Sequence, residues 1–358
     1  MDRRYKLPRL PEHGIEDCIL LGQRSEILEQ CFALDGKDLG SLFPRGYELS
    51  RKNFGNLIHF YIPGMVRYET SFYKRSGPTR FPGVSVTGTM CHLKCEHCNG
   101  QLLKSMIPAT TPQALVEVCN RIKKEGGGGC LISGGSLNNG SVPLTEFIPA
   151  IKRLKQDLEL QVVVHTGLVD SSLAEALAGS RIDAAMIDII GSNDTIKEVY
   201  HLESDISSFD HSLSFLEENN IPTIPHIVVG IHYGKLKGEK RALEILSKHH
   251  PAAVVVVALT PLENTRMEHV EPPRPLDIGR VVLASRLLMP NTPLLLGCAR
   301  PRGQHKVETD DLSIRAGVNG IAYPSEEAYS LADDLRLQVR LHEKCCSLIW
   351  SDFPKSVL

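Results

Sequence analysis

From about residue 82 the chain alternates eight times between a short β-branched run and an amphipathic segment. No other feature of the sequence restricts the fold as much. The runs predict strands at 84–87, 130–133, 160–165, 184–190, 223–231, 253–259, 294–297 and 320–323. The first helix between them has Thr111 as its N-cap and Pro112 in its first turn, and it stops at the glycines 126–129. Its residues Leu115, Val118, Cys119 and Ile122 fall at i, i+3, i+4 and i+7, one face of a helix. Further helices are predicted over 144–155, 171–177, 206–218, 239–248, 278–288, 309–316 and 325–335. Strands that alternate with helices run parallel, and the apolar stretch Ala-Val-Val-Val-Val-Ala-Leu at 253–259 suits a sheet covered on both faces. Eight such α/β units close into a (β/α)8 TIM-type barrel, with an open, partial barrel of six units as the alternative. In both forms the active site belongs at the C-terminal ends of the strands.

Residues 1–80 lie outside this count. A helix at 25–33 and a short strand at 57–62 are expected to pack on the barrel (81–336) as an extension. Residues 337–358 read as a tail that carries Cys345-Cys346 and is placed to cover the barrel mouth. Charge is balanced, with 40 basic against 42 acidic residues, so no polybasic surface argues for nucleic acid. No run of 18 apolar residues is present to span a membrane, and no apolar stretch follows the charged start Met-Asp-Arg-Arg-Tyr-Lys to make a secretion signal. Ten cysteines in such a chain fit a reducing, cytoplasmic setting, where thiols serve metal chemistry or the core.

Three of those cysteines, Cys91, Cys95 and Cys98, are spaced C-x3-C-x2-C directly behind the first predicted strand. Thiolates are soft ligands, and three in this spacing can hold three irons of a [4Fe–4S] cluster, which leaves the fourth iron open. Zinc sites usually pair cysteines as C-x2-C twice, and a second such pair is missing here. Cys119 belongs to an apolar helix face, and Cys18, Cys31 and Cys130 read as core packing. Cys298 ends the seventh strand on the catalytic face, and Cys345-Cys346 follows the last helix. Neighbouring cysteines form only a strained disulfide. Together with Cys298 they could hold a second, auxiliary [4Fe–4S] cluster.

The segment Gly-Thr-Met-Cys-His-Leu-Lys-Cys-Glu-His-Cys-Asn-Gly at 88–100 resembles the cluster loop of the radical S-adenosylmethionine enzymes. The resemblance implies that the open iron chelates the amino and carboxylate groups of S-adenosylmethionine. An electron from the cluster then breaks its C–S bond and yields a 5′-deoxyadenosyl radical. It also implies roles for individual residues. His97 fills a slot that usually holds an aromatic ring near the adenine. Gly134 and Gly135 match a Gly-Gly-Glu-like motif that contacts the methionyl amine, with Ser136 in place of the acidic residue. Gly230 matches one glycine of the family's fifth strand. Asp188 sits where a ribose-binding residue often stands, and it reads equally well as a capping aspartate. His165 ends the third strand and reads either as a group facing substrate or as a structural histidine.

Within that superfamily the chain resembles the biotin synthase and lipoyl synthase branch. It is most similar to proteins that share Ser-Val-Thr-Gly-x-x-Cys (here 85–91), Leu-Ile-Ser-Gly-Gly-Ser (131–136), Leu-Gly-Cys-Ala-Arg-Pro (296–301) and a late Cys-Cys. Some of these act as one component of a two-protein lipoyl synthase. The usual lipoyl synthase run C-x4-C-x5-C and a late Arg-Ser-Ser are both missing here. The resemblance implies sulfur insertion into an octanoyl group on a lipoyl carrier protein or lipoyl domain. It further implies a companion radical S-adenosylmethionine protein and a flavodoxin or ferredoxin electron donor. Cys298, Cys345 and Cys346 would then anchor the sulfur-donating cluster, with Arg300 balancing its charge. Two alternatives remain: a radical enzyme without a sacrificial cluster acting on a small metabolite, and a non-catalytic iron–sulfur or zinc protein.

Overall fold

The computed structural model describes residues 21–64, 68–74 and 79–353, with the backbone alone for 21–24. Cys18 lies outside the described residues. The described residues contain eleven strands: β1 (Leu57–Tyr61), β2 (Gly83–Ser85), β3 (Ile107–Pro108), β4 (Gly129–Ser133), β5 (Gln161–His165), β6 (Ala184–Asp188), β7 (Thr223–Val229), β8 (Val254–Ala258), β9 (Leu294–Leu296), β10 (Gly320–Ala322) and β11 (Gln338–His342). They form one parallel sheet in the order β11-β1-β10-β9-β8-β7-β6-β5-β4-β2-β3, so the barrel is the open, partial form. All eight strands expected from residue 82 onward are present, and they stand side by side in chain order.

Local sequence explains the joints. Thr111 caps the helix Pro112–Lys124 by accepting from the Ala114 N–H at 3.2 Å. Asp170, Asp205 and Ser325 cap the helices Ser171–Ser180, Ile206–Glu218 and Glu326–Asp334 in the same way. Along β5 and β8 alternate valines split between two layers. Val162, Val164, Val254 and Val256 face the helices, while Val163, Val255 and Val257 face inward.

The ends of the chain differ from the sequence reading. The segment expected to lie on the barrel as an extension supplies β1, which is inserted between β10 and β11. The segment read as a tail over the mouth forms β11, and then the 3-10 helix Cys346–Asp352 inside the curl. That helix packs on both β6 and β10, which a flat sheet would hold about 19 Å apart, so the sheet wraps around it. Leu348, Ile349 and Phe353 join Tyr61, Met186, Ile224, Val255 and Leu295 in an inner core. Trp350 reaches the N-terminal ends of β7 and β8, beside Thr223 and Ala252. The segment therefore descends from the mouth and fills the floor of the hollow, where its apolar side chains find burial. Among the described residues no helix is long and apolar enough to cross a membrane.

Candidate active site

Because every strand is parallel, one rim collects all the strand ends. The cysteine loop follows β2, residues 134–136 follow β4, His165 and Asp188 end β5 and β6, Gly230 follows β7, and Cys298 lies two residues past β9.

The cysteine loop is fixed by backbone conformations that ordinary residues seldom take. Lys94 and Asn99 have φ of 47° and 43°, while Gly88 and Gly100 have 60° and 74°. Glu96, buried between the second and third cysteines, pairs with His201 at 2.7 Å and with Arg266. His201 also bonds the Leu93 carbonyl at 3.1 Å, which ties the loop to the chain after residue 200. None of Glu96, His201 and Arg266 stands out by motif. Only the place of Glu96 inside the cysteine spacing marks it.

The Gly-Gly segment is stitched to the same loop. Gly135 donates its N–H to Thr87 Oγ1 at 2.7 Å, and His92 donates its own to the Ser136 carbonyl at 2.9 Å. A Cβ on Gly135 would stand 2.0 Å from the Met90 carbonyl oxygen and 2.6 Å from Cys91 Cα. Glycine is therefore required there so that Cys91 can approach. A Cβ on Gly134 would meet Thr87 and Val86 at 3.0–3.1 Å. Gly230 turns the chain at φ 71°, and its buried N–H is accepted by Glu239 Oε1 at 2.7 Å. Burial raises that carboxyl to about 7.

The donor set suits an iron–sulfur cluster. Ligand atoms of Cys95, His97 and Cys98 lie within 4.8 Å of one another, and Cys91 abuts Gly100. The Cys95 S–H donates to the Tyr200 carbonyl at 3.7 Å, and the interaction between Cys95 and Cys98 draws Cys98 toward thiolate while it holds Cys95 protonated. Behind them His97 Nδ1 and the Tyr200 hydroxyl are buried without a hydrogen-bond partner, and their rings are 5.3 Å apart. Buried polar atoms are rarely left unpaired, so two beside a thiol cluster are the atoms a polar ligand would satisfy. Soft thiolates and orphaned polar atoms fit the [4Fe–4S] cluster and the S-adenosylmethionine that the loop implies.

Across the hollow, Cys345 and Cys346 are buried, and their interaction lowers the Cys345 thiol to about 7 and raises that of Cys346. Ser347 anchors them with an Oγ–Met186 Sδ contact of 2.8 Å. Cys298 opens onto the hollow, yet desolvation by the surrounding protein and then the Cys345 charge raise its thiol. The inward turn of the chain brings the Cys345-Cys346 pair near enough to Cys298 for their charges to act on one another, but among the described residues the three thiols do not all lie within 4.8 Å of each other. Arg300 favours the Cys298 thiolate, as expected of a counter-charge, but its guanidinium is also committed to partners of its own. Its guanidinium is buried against Asp310 at 2.8 Å and donates to the carbonyls of Gly297, Ala322 and Tyr323.

Between the two thiol groups stand His165 and Asp188, with Nε2 3.4 Å from Oδ1. Burial would raise Asp188, but His165, His226 and His97 together bring its carboxyl below the usual range. Burial would lower His165, but Asp188 and then Cys345 raise it. Burial pushes His226, whose ring is 6.0 Å from that of His165, down to about 4, so it is neutral. The Asp188–His165 pair therefore feels His97 on one side and Cys345 on the other. Cys119 and Cys130 are fully buried against each other, with Sγ atoms 3.7 Å apart, and Cys31 is likewise core.

No family model matches the chain. It is 26% identical over 178 residues to biotin synthase of Synechococcus sp. (strain RCC307), covering 49% of this chain and 53% of that protein. It is 24% identical over 246 residues to biotin synthase of Prochlorococcus marinus (strain MIT 9515), covering 66% and 71%. The chain spans about half the length of the first curated relatives it matches. Its fold is similar to that of a methylornithine synthase, with a TM-score of 0.61 at 14% identity over 94% of this chain and 96% of that one. It is also similar to the FeFe-hydrogenase maturase HydG from Carboxydothermus hydrogenoformans, with a TM-score of 0.59 at 15% identity over 89% and 79%. The chain is thus similar in sequence to biotin synthases, and it shares the fold of the two solved proteins.

Proposed function

We propose that the chain is a sulfur-inserting radical enzyme that acts on an octanoyl group held by a lipoyl carrier protein or lipoyl domain. In this reading it works beside a companion radical S-adenosylmethionine protein and takes its electrons from a flavodoxin or ferredoxin. The observation that carries the proposal is the inward turn of the chain that buries Cys345 and Cys346 over Met186, with Cys298 two residues past the end of β9 on the same rim. The similarity to biotin synthases adds support.

When bound, the cluster at Cys91, Cys95 and Cys98 together with S-adenosylmethionine supplies a radical that abstracts hydrogen from an unactivated carbon. The chain's own residues prepare the space for it. Glu96, His201 and Arg266 hold the loop in place, and His97 and Tyr200 offer unpaired polar atoms to the cofactor. The Cys346–Asp352 helix closes the floor with Leu348 and Ile349, so the hollow is apolar below the rim and excludes water from a reactive species. Cys298, Cys345 and Cys346 would hold the sulfur donor on the wall across from the loop.

The test incubates anaerobically reconstituted protein with S-adenosylmethionine, a reductant, the companion protein and an octanoylated carrier, and weighs the carrier by mass spectrometry. Sulfur gained with the native chain and lost with Cys298→Ala supports the reading. An unchanged carrier mass with native protein that cleaves S-adenosylmethionine would move the assignment to a small metabolite.

A further inference from the structure

Three thiols leave one iron of a cubane without a protein ligand, and the structure offers a group beside them. His165 ends β5, and its register partner on β6 is Met186. Met186 is the residue on which Ser347 anchors the Cys345-Cys346 turn, with an Oγ–Sδ contact of 2.8 Å. The end of β5 and the cysteine pair are therefore neighbours across β6.

The two ring nitrogens of His165 have different surroundings. Nε2 faces the Asp188 carboxylate at 3.4 Å. Nδ1 makes no hydrogen bond among the described residues, and it is not among the side-chain atoms buried from solvent without a partner, so it is free to take a ligand. A carboxylate on one nitrogen fixes the tautomer that presents a lone pair on the other, and metal-bound histidines are usually arranged in this way. Imidazole also serves as an iron ligand in place of cysteine in some iron–sulfur centres. His226 is also held through one nitrogen, its Nδ1 bonding the Ile224 carbonyl at 3.0 Å, but its register partner on β6 is Asp188, two residues beyond the Met186 on which Ser347 rests.

We infer that His165, through Nδ1 and oriented by Asp188, is a protein ligand of the iron–sulfur group held by Cys298, Cys345 and Cys346. The inference rests on the proposed function, because it presupposes that group. One neutral imidazole added to three thiolates fills the iron that would otherwise stay open, so this group, unlike the one in the cysteine loop, is closed to S-adenosylmethionine.

The experiment uses the full chain with Cys91, Cys95 and Cys98 all replaced by Ala, so that any cluster present is the second one. If the proposed function holds, this variant retains about four irons per chain after anaerobic reconstitution. If it retains none, the second cluster itself fails, and with it the proposed function. Given retained iron, one-electron reduction with Ti(III) citrate and pulsed electron paramagnetic resonance should show a nitrogen hyperfine coupling of imidazole size. Adding His165→Ala should abolish that coupling while most of the iron stays, and adding His226→Ala should leave it. His165→Cys should restore iron to the parent level without the coupling, which controls for misfolding. An absent coupling in the parent variant, or one that survives His165→Ala, would overturn the inference.

Discussion

The two thiol groups on the rim of the hollow are built in opposite ways. Cys91, Cys95 and Cys98 come from one stretch of chain, and their geometry is set by nearby residues: left-handed turns at Lys94 and Asn99, and Glu96 between them. Cys298 and the Cys345-Cys346 pair are about fifty residues apart. They come near one another only because β11 joins the sheet beside β1 and the chain then turns inward over Met186. The first group is a local motif supported by the fold, and the second is a product of the fold. Disturbing the core should therefore damage the second group far more than the first.

The sharpest break of that comparison is Cys95→Ala. Losing one of three thiolates should reduce S-adenosylmethionine cleavage at least a hundredfold while leaving iron at Cys298, Cys345 and Cys346 in place. Product formation and iron content, measured on one preparation, check both halves. Next in size is Leu348→Ala in the floor helix. This residue is fully buried, and its truncation should cost about 2–5 kcal/mol in denaturant unfolding. The second group should lose iron before the cysteine loop does.

Between the two regions the rim turns at Gly230, held by the buried Glu239. Its carboxyl is raised by burial from an ordinary 4.5 to about 7, so the folded chain prefers the protonated form. The stability this gives is complete below about pH 4.5 and is lost as pH rises through about 7, in total about 3 kcal/mol. Glu239→Gln should flatten thermal unfolding curves across that window, and a native melting temperature that rises with pH between 5 and 7.5 would contradict the assignment. The smallest effect expected is that of Cys119→Ala, far from both groups. It should cost about 1 kcal/mol and leave all iron in place, by unfolding and metal analysis.

Legibility in the sequence followed the same division. Strand runs such as 253–259 and caps such as Thr111 are short-range signals, and the eight central strands were readable from them. The C-x3-C-x2-C loop was readable because its ligands are contiguous. β11 was not, because Gln-Val-Arg-Leu-His at 338–342 is an exposed edge strand with charge and without an apolar run, so it has the composition of a tail. Its place beside β1, rather than any local preference, makes it a strand. For the same reason the inward turn of residues 345–353 was misread as a cover for the mouth. The importance of Tyr200, His201 and His226 depends on which strand ends become neighbours, and spacing does not encode that. The glycines gave a mixed outcome. Gly134 and Gly135 are singled out by sequence for cofactor contact, and at Gly135 the structure shows a second demand, the close passage of the Cys91 backbone.

The most direct test of the account compares 5′-deoxyadenosine formation from S-adenosylmethionine, under anaerobic reducing conditions, by the native chain, Cys95→Ala and Cys298→Ala. The account predicts product from the native chain, none from Cys95→Ala, and continued product from Cys298→Ala, whose iron falls to about half. Product from Cys95→Ala at the native rate, or none from the native chain with its iron in place, would contradict it.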